Sequence, residues 1–273
     1  MKIYGGRAGI NSVVFSGKTY HVKAILRKGK IVTKTWPKKR LRKTSRLLNK
    51  IPFIRGLIII LDLFLDYWKI FILLAGFWLL NYFLLAESRW ANRYLINETD
   101  SFLVLLLVFC LISIVIKITP LSKYHAAEHM VANAYVKKQD LSLKSIKKQP
   151  RTHDHCGTNL FICFLISYGI LSLFIQIPWE ILSFLAWCIG FELWRNEPNY
   201  IWPVILAVSK SIQYLLLTKN SDNQHIQVAV AALTELKEAE EARKCADKHC
   251  WWCKPCYLKG MSLRKIGDLK KSY

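Results

Sequence analysis

Apolar residues fill the whole helical circumference over residues 57–85, 102–118 and 160–177. Runs of this kind approach the ~20 residues that cross a bilayer. Two shorter apolar runs follow at 179–194 and 200–217, separated by Arg195, Asn196, Glu197 and Pro198. Asp62, Asp66 and Lys69 interrupt the first run. Charges at membrane depth are costly and usually face protein or water. Residues 52–69 therefore read as an amphipathic helix partly sunk in an interface, with the crossing beginning near Ile70. Outside these runs the pattern changes. Tyr20, Val22, Ala24 and Leu26 alternate before Arg27-Lys28-Gly29-Lys30, and Ile31, Val32 and Thr33 follow it. A glycine in a polar four-residue connection predicts a β-hairpin. Residues 222–244 read as one helix, with Ile226, Val230 and Leu236 as apolar positions and Ser221 or Asp222 as N-cap.

The chain has 273 residues, 53% of them hydrophobic. Because the apolar residues are so contiguous, the expected fold class is mainly α: a polytopic membrane protein with about four transmembrane helices and a small N-terminal cytoplasmic β-element. The first span starts too late for a cleavable signal, and no small-residue cleavage site follows it. Net charge is +22, and no acidic residue precedes Asp62, while Lys38, Lys39, Arg40, Arg42, Lys43, Arg46, Lys50 and Arg55 crowd the first apolar run. Such flanks stay on the cytoplasmic side. The N-terminus is then inside, the 87–100 connection outside and the basic loop 119–158 inside. With 179–194 as the fourth crossing, 200–217 lies along or dips into the cytoplasmic face and the basic tail also stays inside. The expected location is the cell membrane, multi-pass, with both termini cytoplasmic. Three regions follow: a basic β-element over 1–50, a membrane domain over 51–220, and a helix with a cysteine-rich tail over 221–273. The basic flank lacks interleaved aromatics, so the expected partner is a bilayer with anionic head groups rather than nucleic acid.

The candidate chemistry lies in the loop 119–158. In Tyr124-His125-Ala126-Ala127-Glu128-His129 the two histidines stand four residues apart, so on a helix their rings share one face. Glu128 sits at the edge of that face, where a carboxylate can polarise a metal-bound water. H-x-x-E-H is the inverted form of the H-E-x-x-H zinc signature. His153-Asp154-His155-Cys156 follows after Pro150, which puts four of the seven histidines in one hydrophilic stretch. Imidazole and thiolate both suit zinc, so the expected cofactor is a divalent metal, zinc foremost. Further on, Cys245, His249, Cys250, Cys253 and Cys256 gather half of the eight cysteines. On a reducing side that spacing suggests a second, structural metal site. Trp251 and Trp252 beside lysines offer the competing reading of an interfacial anchor. Cys110, Cys163 and Cys188 read as ordinary buried residues.

Together these motifs resemble the bacterial YqhQ-type membrane family, described as a predicted metal-dependent enzyme of unknown substrate. Its Tyr-His-Gly-Ala-Glu-His element is matched by residues 124–129, with Asn133 and Tyr135 in register. Its His-Pro-Arg-Cys-Gly-Thr element is matched by His153, Cys156, Gly157 and Thr158, with Asp154 and His155 in the middle. Pro52, Phe53, Ile54, Arg55 and Gly56 match the approach to the first span, Phe191-Glu192 a Tyr-Glu pair, and residues 228–233 a Val-Ala-hydrophobic-Ala-Ala-Leu helix. The N-terminus departs most. Asn11 stands where the family has an acid, and Gln227 where it has a glutamate. The resemblance ends near Leu233, before the cysteine-rich tail.

The leading expectation is a metal-dependent membrane hydrolase. His125 and His129 ligate the metal, Glu128 activates water, and the third ligand is His153, Cys156 or Glu192, with His155 a weaker candidate. The alternative is a non-catalytic scaffold or regulator with a structural metal site. A third reading, ion translocation, uses Asp62, Asp66 and Lys69.

Overall fold

The computed structural model of the chain describes residues 1–38, 48, 50–66, 68, 69, 72, 73, 75, 76 and 98–247. After four strands, the helices in chain order are α1 (Ile54–Asp66), α2 (Glu98–Ile118), α3 (Leu121–Val136), α4 (Leu143–Lys147), α5 (Gly157–Phe174), α6 (Trp179–Asn196), α7 (Trp202–Ile212) and α8 (Asn223–Asp247). A π-helical segment, Gln213–Leu217, continues α7. The chain divides into two compact units, one from residues 1–39, 114–155 and 212–273, the other from 40–113 and 156–211.

The first unit opens with an antiparallel meander of β1 (Gly5–Gly9), β2 (Ser12–Ser16), β3 (Tyr20–Arg27) and β4 (Lys30–Pro37). The expected hairpin is β3–β4. Arg27 pairs with Lys30, and Lys28 and Gly29 take φ of 46° and 75°. Two positive φ values give the primed turn that suits right-handed strand twist. Val13 and Phe15 from β2 and Val22 and Ala24 from β3 enter the core. Tyr124, Ala127, Val131 and Ala134 of α3 join them, as do Ile226, Ala229, Leu233 and Leu236 of α8. Both sets recur every three or four residues, which makes one apolar stripe per helix. Helix α8 starts directly after Asp222, whose carbonyl accepts from the amides of His225 and Ile226. Buried Glu240 ties it to the sheet by accepting from the amides of Thr19 (2.5 Å) and Tyr20 (3.0 Å).

In the second unit α5 and α6 form the principal pair, with Tyr168, Leu182 and Ala186 at its core. Gly190 sets their separation: a Cβ there would lie 2.7 Å from the backbone nitrogen of Phe164. Helix α1 meets α6 at Gly56, whose carbonyl accepts from Trp187 Nε1 at 2.9 Å. Ser209 of α7 bonds Asn159 of α5 at 2.5 Å.

The four-span expectation is corrected by this architecture. Among the described residues one helix, Gly157–Phe174, is long and apolar enough to cross a membrane, or two at most if Phe102–Ile118 and Leu121–Val136, broken at Pro120, count as one span. Three causes act together. Helix α6 carries Glu180, Glu192 and Arg195 within 18 residues. The apolar helix at Trp202–Leu217 is short. Helix α1 is described over the 13 residues Ile54–Asp66, and residues 77–85 of the first apolar run lie outside the described residues. The multi-pass cell-membrane location and the assigned sides of the termini rested on those four crossings and fall with them. The side chains of Asp62 and Asp66 and the metal-site expectation for the cysteine-rich tail also lie outside the described residues.

Candidate metal centre

Helix α3 carries the centre. It begins after Pro120, which has αR geometry (φ −57°). Ala126, Ala127, Ala132 and Ala134 are all buried, and their small side chains let neighbours approach on several sides. The helical spacing does what the sequence implies: the rings of His125 and His129 lie 4.3 Å apart, centre to centre. His129 is 2% exposed and Glu128 7%.

Each histidine is oriented through the backbone of a distant segment. His129 Nδ1 lies 2.9 Å from the carbonyl oxygen of Arg151. His125 bonds the backbone of Leu217, at the end of the π-helix. A carbonyl only accepts, so Nδ1 of His129 must carry the proton. Burial, and then the neighbouring His125, hold the His129 imidazole well below its ordinary range, which leaves it neutral with Nε2 bare. Metal-binding histidines are held in this way, one ring nitrogen donating to an acceptor and the other presenting a lone pair.

The loop that delivers the Arg151 carbonyl is itself tied down. Asn133 Nδ2 donates to the carbonyls of Pro150 and Thr152, both at 2.9 Å. Fully buried Gln213 accepts from the His153 amide (2.9 Å) and donates to the His153 carbonyl (3.3 Å). Cys156, the residue after His155, precedes α5 as its N-cap in extended geometry. Ligand atoms of His125, His129 and Cys156 all lie within 4.8 Å of one another.

Glu128 Oε2 faces His129 Nε2 at 3.4 Å. With Nε2 bare this is not an ion pair: a lone pair on nitrogen faces the carboxyl oxygen, an arrangement that a shared proton or a cation would stabilise. Burial pushes the Glu128 carboxyl up to about 8, in keeping with a shared proton when no cation is held. Strand β1 makes room for the group. A Cβ on Gly6 would collide with Glu128 Oε1.

The other expected ligands stand apart from this trio. The His153 ring stacks 5.8 Å from that of His129, and its Nδ1 accepts from the His155 amide at 3.1 Å. His155 is exposed. Glu192 is engaged within the second unit, where it accepts from Arg55 Nε (2.7 Å), Arg55 Nη2, the Phe53 amide (2.9 Å) and Asn196 Nδ2 (3.3 Å). Sequence reasoning gave no role to Gly6, Asn133, Gln213 or the carbonyls of Arg151 and Leu217. Gln213 left one trace, a lone amide in the middle of an apolar run.

A family model described as "Protein of unknown function (DUF1385)" matches residues 54–239. "Uncharacterized protein YqhQ" of Bacillus subtilis (strain 168) is 24% identical over 309 aligned positions, covering 87% of this chain and 93% of that protein. No solved structure matches the chain. The chain belongs to the DUF1385 family.

Proposed function

We propose that this member of the DUF1385 family is a metal-dependent hydrolase. The observation that carries the reading is the bare Nε2 of His129 opposite the buried Glu128 carboxylate, beside His125 and Cys156. His125, His129 and Cys156 hold a divalent metal, for which zinc suits the imidazole–thiolate set best. When bound, such an ion lowers the pKa of its water to ~7. Glu128, buried against His129, would hold the proton given up by a water activated there. Its raised pKa favours that role, since a base near neutrality both accepts and returns a proton. His153, against His129, favours a second reading: if it completes a closed four-ligand shell, the ion is structural and the protein a scaffold or regulator.

The test is metal analysis of the purified full-length chain. Wild type should carry about one more ion per chain than His125→Ala or His129→Ala, in keeping with a single site. Any ion in the cysteine-rich tail cancels in that difference. Glu128→Gln should keep the ion yet fail to complement a deletion strain. Unchanged metal content in both histidine variants would sink the metal centre. Full complementation by Glu128→Gln would leave the structural reading.

A further inference from the structure

The basic side chains around the π-helix have no part in the metal centre. Lys117, near the end of α2, donates from Nζ to the carbonyls of Thr218 (2.6 Å) and Tyr214 (3.4 Å). The guanidinium carbon of Arg151 lies 3.7 Å from the centre of the Tyr214 ring, and Arg151 Nη1 donates to Asn220 Oδ1 at 2.7 Å. Two cations are thus fastened to one residue, Tyr214, one by its carbonyl and one by its ring. The same stretch supplies the Leu217 carbonyl that orients His125, and Arg151 itself supplies the carbonyl that orients His129.

No carboxylate pairs with Lys117 or Arg151 among the described residues. Burial, followed by the charges of Arg151 and Lys219, holds the Lys117 ammonium below its usual range. Arg151 Nε is buried and has no hydrogen-bond partner. A bland account exists: Lys117 caps the last carbonyls of the π-helix, and Arg151 covers an aromatic ring. That account leaves two features over. Like charges are drawn together without a counter-charge, and a buried donor of the guanidinium stays unused, although such donors are nearly always satisfied.

We propose that Arg151 and Lys117, with Lys219 adding long-range charge, form an anion subsite on the segments whose backbone orients the histidine pair, and that it binds a phosphate group. A guanidinium fork matches phosphate oxygens, and an ammonium adds a point charge beside it. This deepens the hydrolase reading by naming its substrate class, a phosphate-bearing molecule. The subsite itself does not require the metal to be bound.

The experiment is calorimetric titration of inorganic phosphate into the full-length, metal-stripped protein, which removes binding to the ion itself. Wild type should bind phosphate, sulfate should compete and acetate should not. Arg151→Met and Lys117→Met should each weaken binding by roughly tenfold or more, the scale of a charge-assisted hydrogen bond. Both should keep wild-type metal content when loaded, because the Arg151 carbonyl is retained. Absence of phosphate binding by metal-stripped wild type overturns the proposal without recourse to any variant. Binding unchanged in both variants overturns it as well. Loss of metal from His125→Ala or His129→Ala bears on the metal centre alone, so the two readings fail separately.

Discussion

Two of the buried glutamates, Glu128 in the first unit and Glu192 in the second, live in opposite surroundings. Glu192 accepts from Arg55, from the Phe53 amide and from Asn196, and these bonds, Arg55 first, hold its carboxyl below the usual range. Glu128 has no lysine or arginine partner among the described residues, and burial drives it to about 8. The first is neutralised where it stands and holds elements together: it fixes Phe53, whose φ of 64° is unusual for a bulky residue, at the start of α1. The second has no cationic partner among the described residues, and burial favours its protonated form until pH nears 8. A fold retains such a group when something other than the fold needs it.

The contrast predicts opposite responses to pH in metal-stripped protein. For Glu128 the folded pKa is raised from 4.5 to about 8, so stability present below 4.5 is lost as pH rises through about 8. Glu128→Gln should remove that loss, raising stability on the order of 3 kcal/mol at pH 7 relative to wild type. Denaturant melts from pH 5 to 8 would show it; parallel curves for the two proteins would refute it. For Glu192 the folded pKa is depressed, so its contribution is full above 4.5 and lost as pH falls through the lower folded value. Arg55→Met should cost roughly 1.5–3 kcal/mol at pH 7. The gap from wild type should narrow on acidification, and a gap that widens in acid would mean the pair is not what holds α1 to α6.

Two glycines sharpen the same comparison at smaller scale. Gly190 faces backbone at 2.7 Å, which cannot yield unless α5 and α6 separate. Gly6 faces the tip of the Glu128 side chain, which can swing. Thermal melts should therefore place Gly190→Ala about 1–3 kcal/mol below wild type. Gly6→Ala should lie within about 1 kcal/mol of wild type, as expected when only a side-chain tip must move. The reverse order would show that β1 is more rigid than α5–α6.

What could be read from the sequence was local. The four-residue spacing of His125 and His129 fixes their common face whatever surrounds the helix, and Lys28-Gly29 encodes its turn through backbone geometry alone. What escaped was everything set by partners far along the chain. The choice of Cys156 over His153 in the trio depends on where loop 150–156 is tied, and that is decided by Asn133 and Gln213. Gln213 sits in a run whose composition pointed to a bilayer. The count of crossings failed for a related reason: apolar composition reports a wish for burial, not what does the burying. Helix α6 satisfies it in part against α1 and α5, using Glu192 with Arg55 where a lipid-facing helix would need apolar residues.

Asn133 holds the loop carbonyls on either side of Arg151 with one amide, and this has a consequence for the order in which the centre assembles. The histidine pair exists as soon as α3 has wound, so an emerging chain would offer a metal at most a two-ligand, weak and exchangeable grip. The oriented ring of His129 and the sulfur of Cys156 arrive only after some twenty more residues have been made and the loop has docked. On the proposed metal reading, capture would then be a late step that reports successful folding, and an ion taken up early would be free to leave a chain that goes astray.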